Sequence, residues 1–435
     1  MKTTGEVSTP QTRECPECGT AFAVHERYVG WCATCDWNVD PGAPDPERGR
    51  IATARRRMAR RHGEQLAAEI AGSGGQAGPA ALDAPTVLAY GISLLVHAVT
   101  VGLVVLAGLL IIGGWDTGVQ PVLGALILVV VAALLPRPQR LPKHVPTLYR
   151  ADAPRLFDLI DEVAAVVGTP GVHAVVVEPI ANAAVTTYGF RNRRVLRLGL
   201  GLWEILSPQE LVALLGHELG HFANGDVRSL HVTSGALRSL QHWYYFLVPA
   251  TSATNVLTQL LRFLYFLPCW AFYGVIHLLD ALTMRASQRA EYRADTCAAR
   301  VGSTEAAVSL MDRMLLCDMV EPLLQRESVA AQVRGGAEGR AARDAAEEGL
   351  WERLGTRMGS VPEYEYERLR RVSARRGHSV DDTHPPTHLR RHCLASGVPY
   401  PAQVLCDDSR TKAVTAELAP ARAELARHVM RDYAR

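Results

Sequence analysis

Two absences narrow the function of this chain before any motif is considered. The first 50 of its 435 residues hold no apolar stretch, so no secretory signal is expected there and the N-terminus should stay in the cytosol. Net charge is also nearly absent, at a formal +2, so no global basicity argues for nucleic acid, and such a partner is not expected. A third absence is local. Residues 86–113 and 119–135 lack Asp, Glu, Lys and Arg altogether. About 20 apolar residues cross the hydrocarbon core, so 86–135 reads as a transmembrane hairpin. Basic residues flank it on both sides, from Arg55 to His62 before and Arg137, Arg140, Lys143 and Arg150 after, while the turn between carries only Asp116. Both ends should therefore be cytoplasmic.

The nine cysteines divide into two populations. Cys15, Cys18, Cys32 and Cys35 form two CxxC pairs within 13–39, the spacing of a tetrahedral zinc site, and so short a segment needs metal to fold. A structural zinc ribbon is expected, separable from whatever follows and free to bind a protein partner. The other five cysteines read as small core residues. Residues 40–85, rich in Pro, Gly, Ala and Arg, read as a flexible basic linker suited to lipid headgroups.

From 150 to 400 the pattern is that of an α+β domain, mainly helical. Residues 154–167 repeat apolar positions at helical spacing, and three β-type runs fall within 172–200. Ser207-Pro208-Gln209-Glu210 then has the form of a capping box, so a helix should run from there to about residue 223. Inside it stands His217-Glu218-Leu219-Gly220-His221. Two histidines four apart share a helix face and can hold one zinc ion, with Glu218 beside them as general base toward a water. A catalytic zinc takes a third protein ligand. Glu291 of Glu291-Tyr292-Arg293-Ala294-Asp295 is the best candidate, with Asp295 one turn on to orient a ligand imidazole. Small Ala294 would let the two helices approach.

HELGH followed by NGD, then EYRAD after a hydrophobic insertion at about 231–284, then Thr383-His384-Pro385-Pro386-Thr387, resembles the peptidase family of the HtpX heat-shock protease and the CAAX prenyl endopeptidase. The likeness covers roughly residues 86–395. It implies a gluzincin-like fold with transmembrane helices and a multi-pass, membrane-anchored zinc endopeptidase acting on proteins or peptides, and it suggests a part in membrane-protein quality control. It also implies that His384 meets the tetrahedral intermediate, that Arg390 contacts substrate, and that Asn182 and Ala183 belong to an edge strand binding extended substrate. The ribbon lies outside the usual family pattern.

Two rival classes can be weighed. A silent membrane scaffold using its ribbon for binding would have no need of Glu218. An intramembrane protease would not flank its zinc helix with Gln209, Glu210, Asn224 and Asp226. Parity adds a constraint: His217, His221 and Glu291 must meet, so 226–285 crosses a bilayer twice or not at all. The charge-free stretch 263–279, followed by Arg285, Arg289 and Arg293, favours two crossings, with a polar partner helix between about 231 and 255. Residues 321–380 read as a charged helical surface insertion, and 401–435 as a helical tail.

Overall fold

The computed structural model describes residues 11–42, 49–73, 83–115, 118–135, 139–223, 226–248, 256–332, 341, 344–377 and 384–433. The expected turn at Asp116, the basic flank at Arg137, Asn224, Thr383 and the tip of the hydrophobic insertion around 250–255 lie outside the described residues.

Strands β1 (Gln11–Glu14) and β2 (Ala21–Val24) pair antiparallel and carry the first cysteine knuckle. The segment expected as a flexible linker holds a 23-residue helix, α1 (Arg50–Gly72). Leu66, Ala67 and Ile70 are the reason: they recur on one face and are buried with Tyr292 and Cys393, and that burial outweighs the repulsion within the arginine run.

Helices α2 (Ala84–Gly113) and α3 (Val119–Leu134) form the expected apolar pair. Most of their large apolar side chains face outward, Leu95 at 64% and Leu109 at 65% exposure. Soluble proteins do not carry so large an apolar surface. Against α2 and α3 pack α7 (Asp226–Leu247) and the first half of α8 (Val256–Gly302). Ala89, Val96, Ala236, Leu240, Trp243 and Leu279 make a small separate core among them. Three polar side chains of this bundle bond to backbone carbonyls within it, as suits a hydrocarbon surround. His242 Nε2 lies 2.8 Å from the Ala133 carbonyl, Trp243 donates to Leu134 at 3.1 Å, and His97 Nε2 lies 3.0 Å from the Val232 carbonyl.

The soluble half is built around a four-stranded sheet of order β3-β4-β6-β5, made of β3 (Thr147–Leu148), β4 (Ala174–Glu178), β5 (Ala183–Tyr188) and β6 (Arg193–Gly199). Strand β5 runs antiparallel to β6 along the open edge. The α4 helix (Pro154–Val167) and α6 (Pro208–Ala223) share the core beneath this sheet, with short α5 (Leu200–Trp203) leading in. Helices α9 (Thr304–Met314), α10 (Cys317–Gln332) and α11 (Leu350–Gly359) complete that core, so much of the expected surface insertion is interior. Helices α12 (Glu363–Arg376) and α13 (Thr387–Ser396) follow. The last helix, α14 (Asp408–Asp432), is no tail either. Val414, Leu418, Leu425 and Val429 are buried, and Glu417 accepts the free backbone N–H groups of Arg155 and Leu156 at the start of α4.

Candidate active site

Helix α6 begins as its capping residues require. Glu210 accepts from the Ser207 backbone N–H at 2.6 Å, and the Ser207 hydroxyl faces the Glu210 N–H at 3.4 Å. The helix is buried almost all round, so its polar residues must be satisfied inside the protein. It lies against the second half of α8 at very short range. A Cβ at Gly216 would come 3.2 Å from the Ala298 Cα, and one at Gly220 would come 3.2 Å from the Ala294 Cα. Glycine facing alanine is what brings the two motifs together.

That approach brings His217 and His221 up to Glu291, and His217, Glu291 and His384 place ligand atoms within 4.8 Å of one another. The Nε2 atoms of His217 and His221 lie 3.5 and 3.6 Å from the two oxygens of Glu291, and His384 Nε2 lies 3.2 Å from Glu291 Oε2. The His217 and His221 rings meet edge to face, with centroids 4.9 Å apart. Glu291 Oε2 is buried yet has no hydrogen-bond partner despite these neighbours. Nitrogen and oxygen ligands about 2.0–2.1 Å from a zinc ion in tetrahedral array stand roughly 3.3 Å apart. The spacing and the missing hydrogen bond therefore fit a metal cage better than a hydrogen-bonded cluster. His384 joins this cluster directly.

Electrostatics agree with ligation. Burial pushes the His221 pKa down to about 4, which leaves a neutral imidazole lone pair available. Burial would raise Glu291, but the adjacent His217 and the nearby His384, His221 and Arg390 hold it down to about 2, so it stays anionic. His217 is lifted to about 10: burial opposes the proton, while Asp295 and Glu291 beside it prevail. Glu218 is buried, and that burial raises its pKa, moving a carboxylate toward the range useful for proton transfer near neutrality.

Asp295 lies 3.0 Å from His217 Nδ1, where it fixes the ring and its tautomer. Beneath it sits Arg390, at 0% exposure, donating to both Asp295 oxygens at 2.8 and 2.6 Å. This corrects the expectation of substrate contact. The guanidinium lies under the ligands, because two buried carboxylates require a buried cation. Sequence spacing does not show this, since nothing in the motif marks Arg390 as interior. Asn182 and Ala183 open the edge strand β5, Asn182 Oδ1 accepting from the Ala183 N–H at 2.9 Å. With Ile180, Met314, Cys317 and Tyr433, Asn182 lines a cavity of about 260 Å³.

The four ribbon cysteines also converge. Cys15 and Cys35 sulfurs stand 3.5 Å apart, Cys18 and Cys32 sulfurs 3.6 Å, and none is in a disulfide. Thiolates at about 2.3 Å from tetrahedral zinc would lie roughly 3.8 Å apart. Sequence reasoning missed two further groups that support the catalytic helix. Gln288, fully buried, donates to the Ala59 carbonyl of α1, and Tyr292 reaches the Gly63 carbonyl at 3.5 Å.

The model of peptidase family M48 matches residues 150–396. Among curated proteins the chain is 30% identical over 138 residues to Protease HtpX of Pseudomonas fluorescens, covering 31% of this chain and 46% of that one. To Protease HtpX of Xylella fastidiosa it is 26% identical over 193 residues, covering 40% of this chain and 63% of that one. The chain thus spans about half the length of the curated relatives it matches. No solved structure matches it significantly.

Proposed function

The chain belongs to peptidase family M48, and from that premise we propose that it is a membrane-anchored, zinc-dependent endopeptidase. The observation that carries this reading is the convergence of His217, His221 and Glu291 beside a buried Glu218. In this reading those three residues hold the catalytic ion, and the four ribbon cysteines hold a second, structural one. When bound, the catalytic zinc supplies Lewis acidity, polarising the scissile carbonyl and making water acidic enough to deprotonate near neutral pH. Glu218 takes the proton of the attacking water and later delivers it to the leaving amine. His384 donates a hydrogen bond to the developing oxyanion. Asp295 keeps His217 in register, and Arg390 keeps Asp295 charged. Asn182 and Ala183 offer the free edge of β5 to an extended substrate, which would add a strand there.

A second reading of His384 is favoured by its place 3.2 Å from Glu291 Oε2, within the ligand cluster. It closes the resting site as a fourth ligand and gives way to substrate. Zinc content separates the two, since His384→Ala lowers metal affinity only if the imidazole ligates.

The bilayer is the second partner. Among the described residues two helical stretches are long and apolar enough to cross it, Ala84–Gly113 and Phe263–Gly302. Helices α3 and α7 pack beside them, and His97, His242 and Trp243 bond to backbone carbonyls within this bundle. This supports the reading of two hairpins, with the N-terminus and the active site in the cytoplasm. Its substrates would be proteins exposed near the membrane, misfolded membrane proteins among them. The test of function is hydrolysis of an unstructured peptide by the detergent-purified chain. Activity should vanish with a chelator and in Glu218→Gln. Chelator-resistant hydrolysis would remove the zinc mechanism.

A further inference from the structure

Trp31 lies between the two knuckles of the ribbon and is fully buried, although so small a module cannot bury a tryptophan alone. Its cover comes from a helix more than 300 residues away. The Tyr364 ring of α12 lies 5.4 Å from Trp31, and the Arg371 guanidinium sits 4.9 Å above the indole. The Tyr364 hydroxyl accepts from the Trp31 N–H at 2.8 Å and donates to the Val29 carbonyl at 3.0 Å. Arg368 donates to the Val39 carbonyl at 2.9 Å, and Arg371 to the Ala33 carbonyl at 2.6 Å. Asp36 takes Arg371 and Arg375, and Asp40 takes Arg376.

The chemistry of this contact makes it conditional. Four of the groups that α12 grips are backbone carbonyls, at residues 29, 31, 33 and 39, arranged around the knuckle of Cys32 and Cys35. Their positions are defined only while that knuckle is folded, and a four-cysteine module of this size folds with its metal. Without it, α12 would present Arg368, Arg371, Arg375 and Arg376 with no opposing carboxylate from the ribbon.

From α12 the contacts continue toward the catalytic centre. Arg370 donates to both oxygens of Asp312 at 2.9 and 2.8 Å, and Arg391 of α13 shares the same carboxylate at 2.8 Å. The neighbour of Arg391 is Arg390, which holds Asp295, which holds His217. Helix α13 also begins three residues after His384. Apart from the step along the chain from Arg391 to Arg390, each link is a charge-assisted contact, whose strength depends on geometry.

We propose that the ribbon is an internal, metal-dependent clamp. Occupancy of Cys15, Cys18, Cys32 and Cys35 sets the position of α12, and through Asp312 that of α13 with Arg390 and His384. The partner of the ribbon is this chain's own helix. The effect on hydrolysis rests on the peptidase reading above, whereas the clamp itself does not.

The test uses the full chain in detergent, with hydrogen exchange followed in 363–376 and 387–396. Cys18→Ser with Cys35→Ser removes the ribbon metal. Tyr364→Ala with Arg371→Ala keeps all four cysteines and breaks the dock. Both pairs should lower amide protection in both segments, and kcat/KM on a short peptide, by about tenfold, a common size for coupling between sites. The Tyr364/Arg371 pair should do so while still binding ribbon zinc, which separates docking from misfolding of the ribbon. Unchanged protection of 363–376 after loss of the ribbon metal would overturn the clamp. Loss of protection there with 387–396 unaffected would overturn the coupling to the site. If no form hydrolyses peptide, the peptidase reading falls and the exchange result still decides the clamp.

Discussion

At the scale of single residues the catalytic proposal turns on which groups are replaceable. Glu218→Gln keeps the shape of the side chain and loses the base, so hydrolysis should fall by about 10²-fold or more while zinc content stays unchanged. Activity measured beside metal analysis checks this, and substantial residual turnover would remove Glu218 from its role. Arg390 belongs to a different class of residue. It is fully buried and is bound through both Asp295 oxygens. Arg390→Ala would leave Asp295 and Glu291 without their cation, at a cost of about 3–5 kcal/mol. Arg390→Lys should not rescue it, because an ammonium cannot make the two-pronged contact. Chemical denaturation of the two variants provides the measurement, and a fully stable lysine variant would mean that the fork geometry is unimportant. His217, His221 and Glu291 could be proposed as ligands from sequence because helical spacing and zinc chemistry restrict the choice to a few side chains. The role of Arg390 could not, since burial comes from the packing of α13 and leaves no periodic mark in the sequence.

At the scale of elements, α6 was legible down to its first residue. Ser207, Pro208 and Glu210 act within one turn, and local chemistry of that kind survives any tertiary context. Strand β4 was expected from about Val172, and the ladder with β6 begins at Ala174. The β-type sequence extends beyond the residues that find a partner. Helix α1 was misread because Arg, Gly and Ala dominate the composition of its surroundings, while the informative residues, Leu66, Ala67 and Ile70, are only three. The docking of α12 on the ribbon had no signal at all, being arginine on backbone carbonyls across more than 300 residues. The contact of α6 with α8 gives the sharpest prediction here. Gly220→Leu would drive a side chain into Ala294 and Cys297. Overpacking of this kind costs about 1–3 kcal/mol and would push the helices apart. Bound zinc should fall from two equivalents to one while the ribbon keeps its own, and retention of both would show that the helices can shift without opening the site.

At the scale of the whole molecule, the proposed pair of hairpins makes a prediction about topology. Gln259, near the start of α8 and exposed, should be on the far side of the membrane from the active site. Gln259→Cys should react with an impermeant maleimide only from outside the cell, relative to the parent chain. Labelling from the cytosol alone would reduce the second hairpin to a partly sunk one. Helix α8 joins this bundle to the chemistry without a break, and its 47 residues extend about 70 Å. The order of synthesis then acquires a meaning. His217 and His221 leave the ribosome first, the apolar insertion follows, and Glu291 comes only at the far end of the helix that the insertion begins. On the proposed ligand set, a newly made chain holds two of its three zinc ligands and gains the third only after the whole insertion has been made. In that reading the helix that enters the bilayer also completes the metal site, so zinc binding and membrane insertion are linked in time.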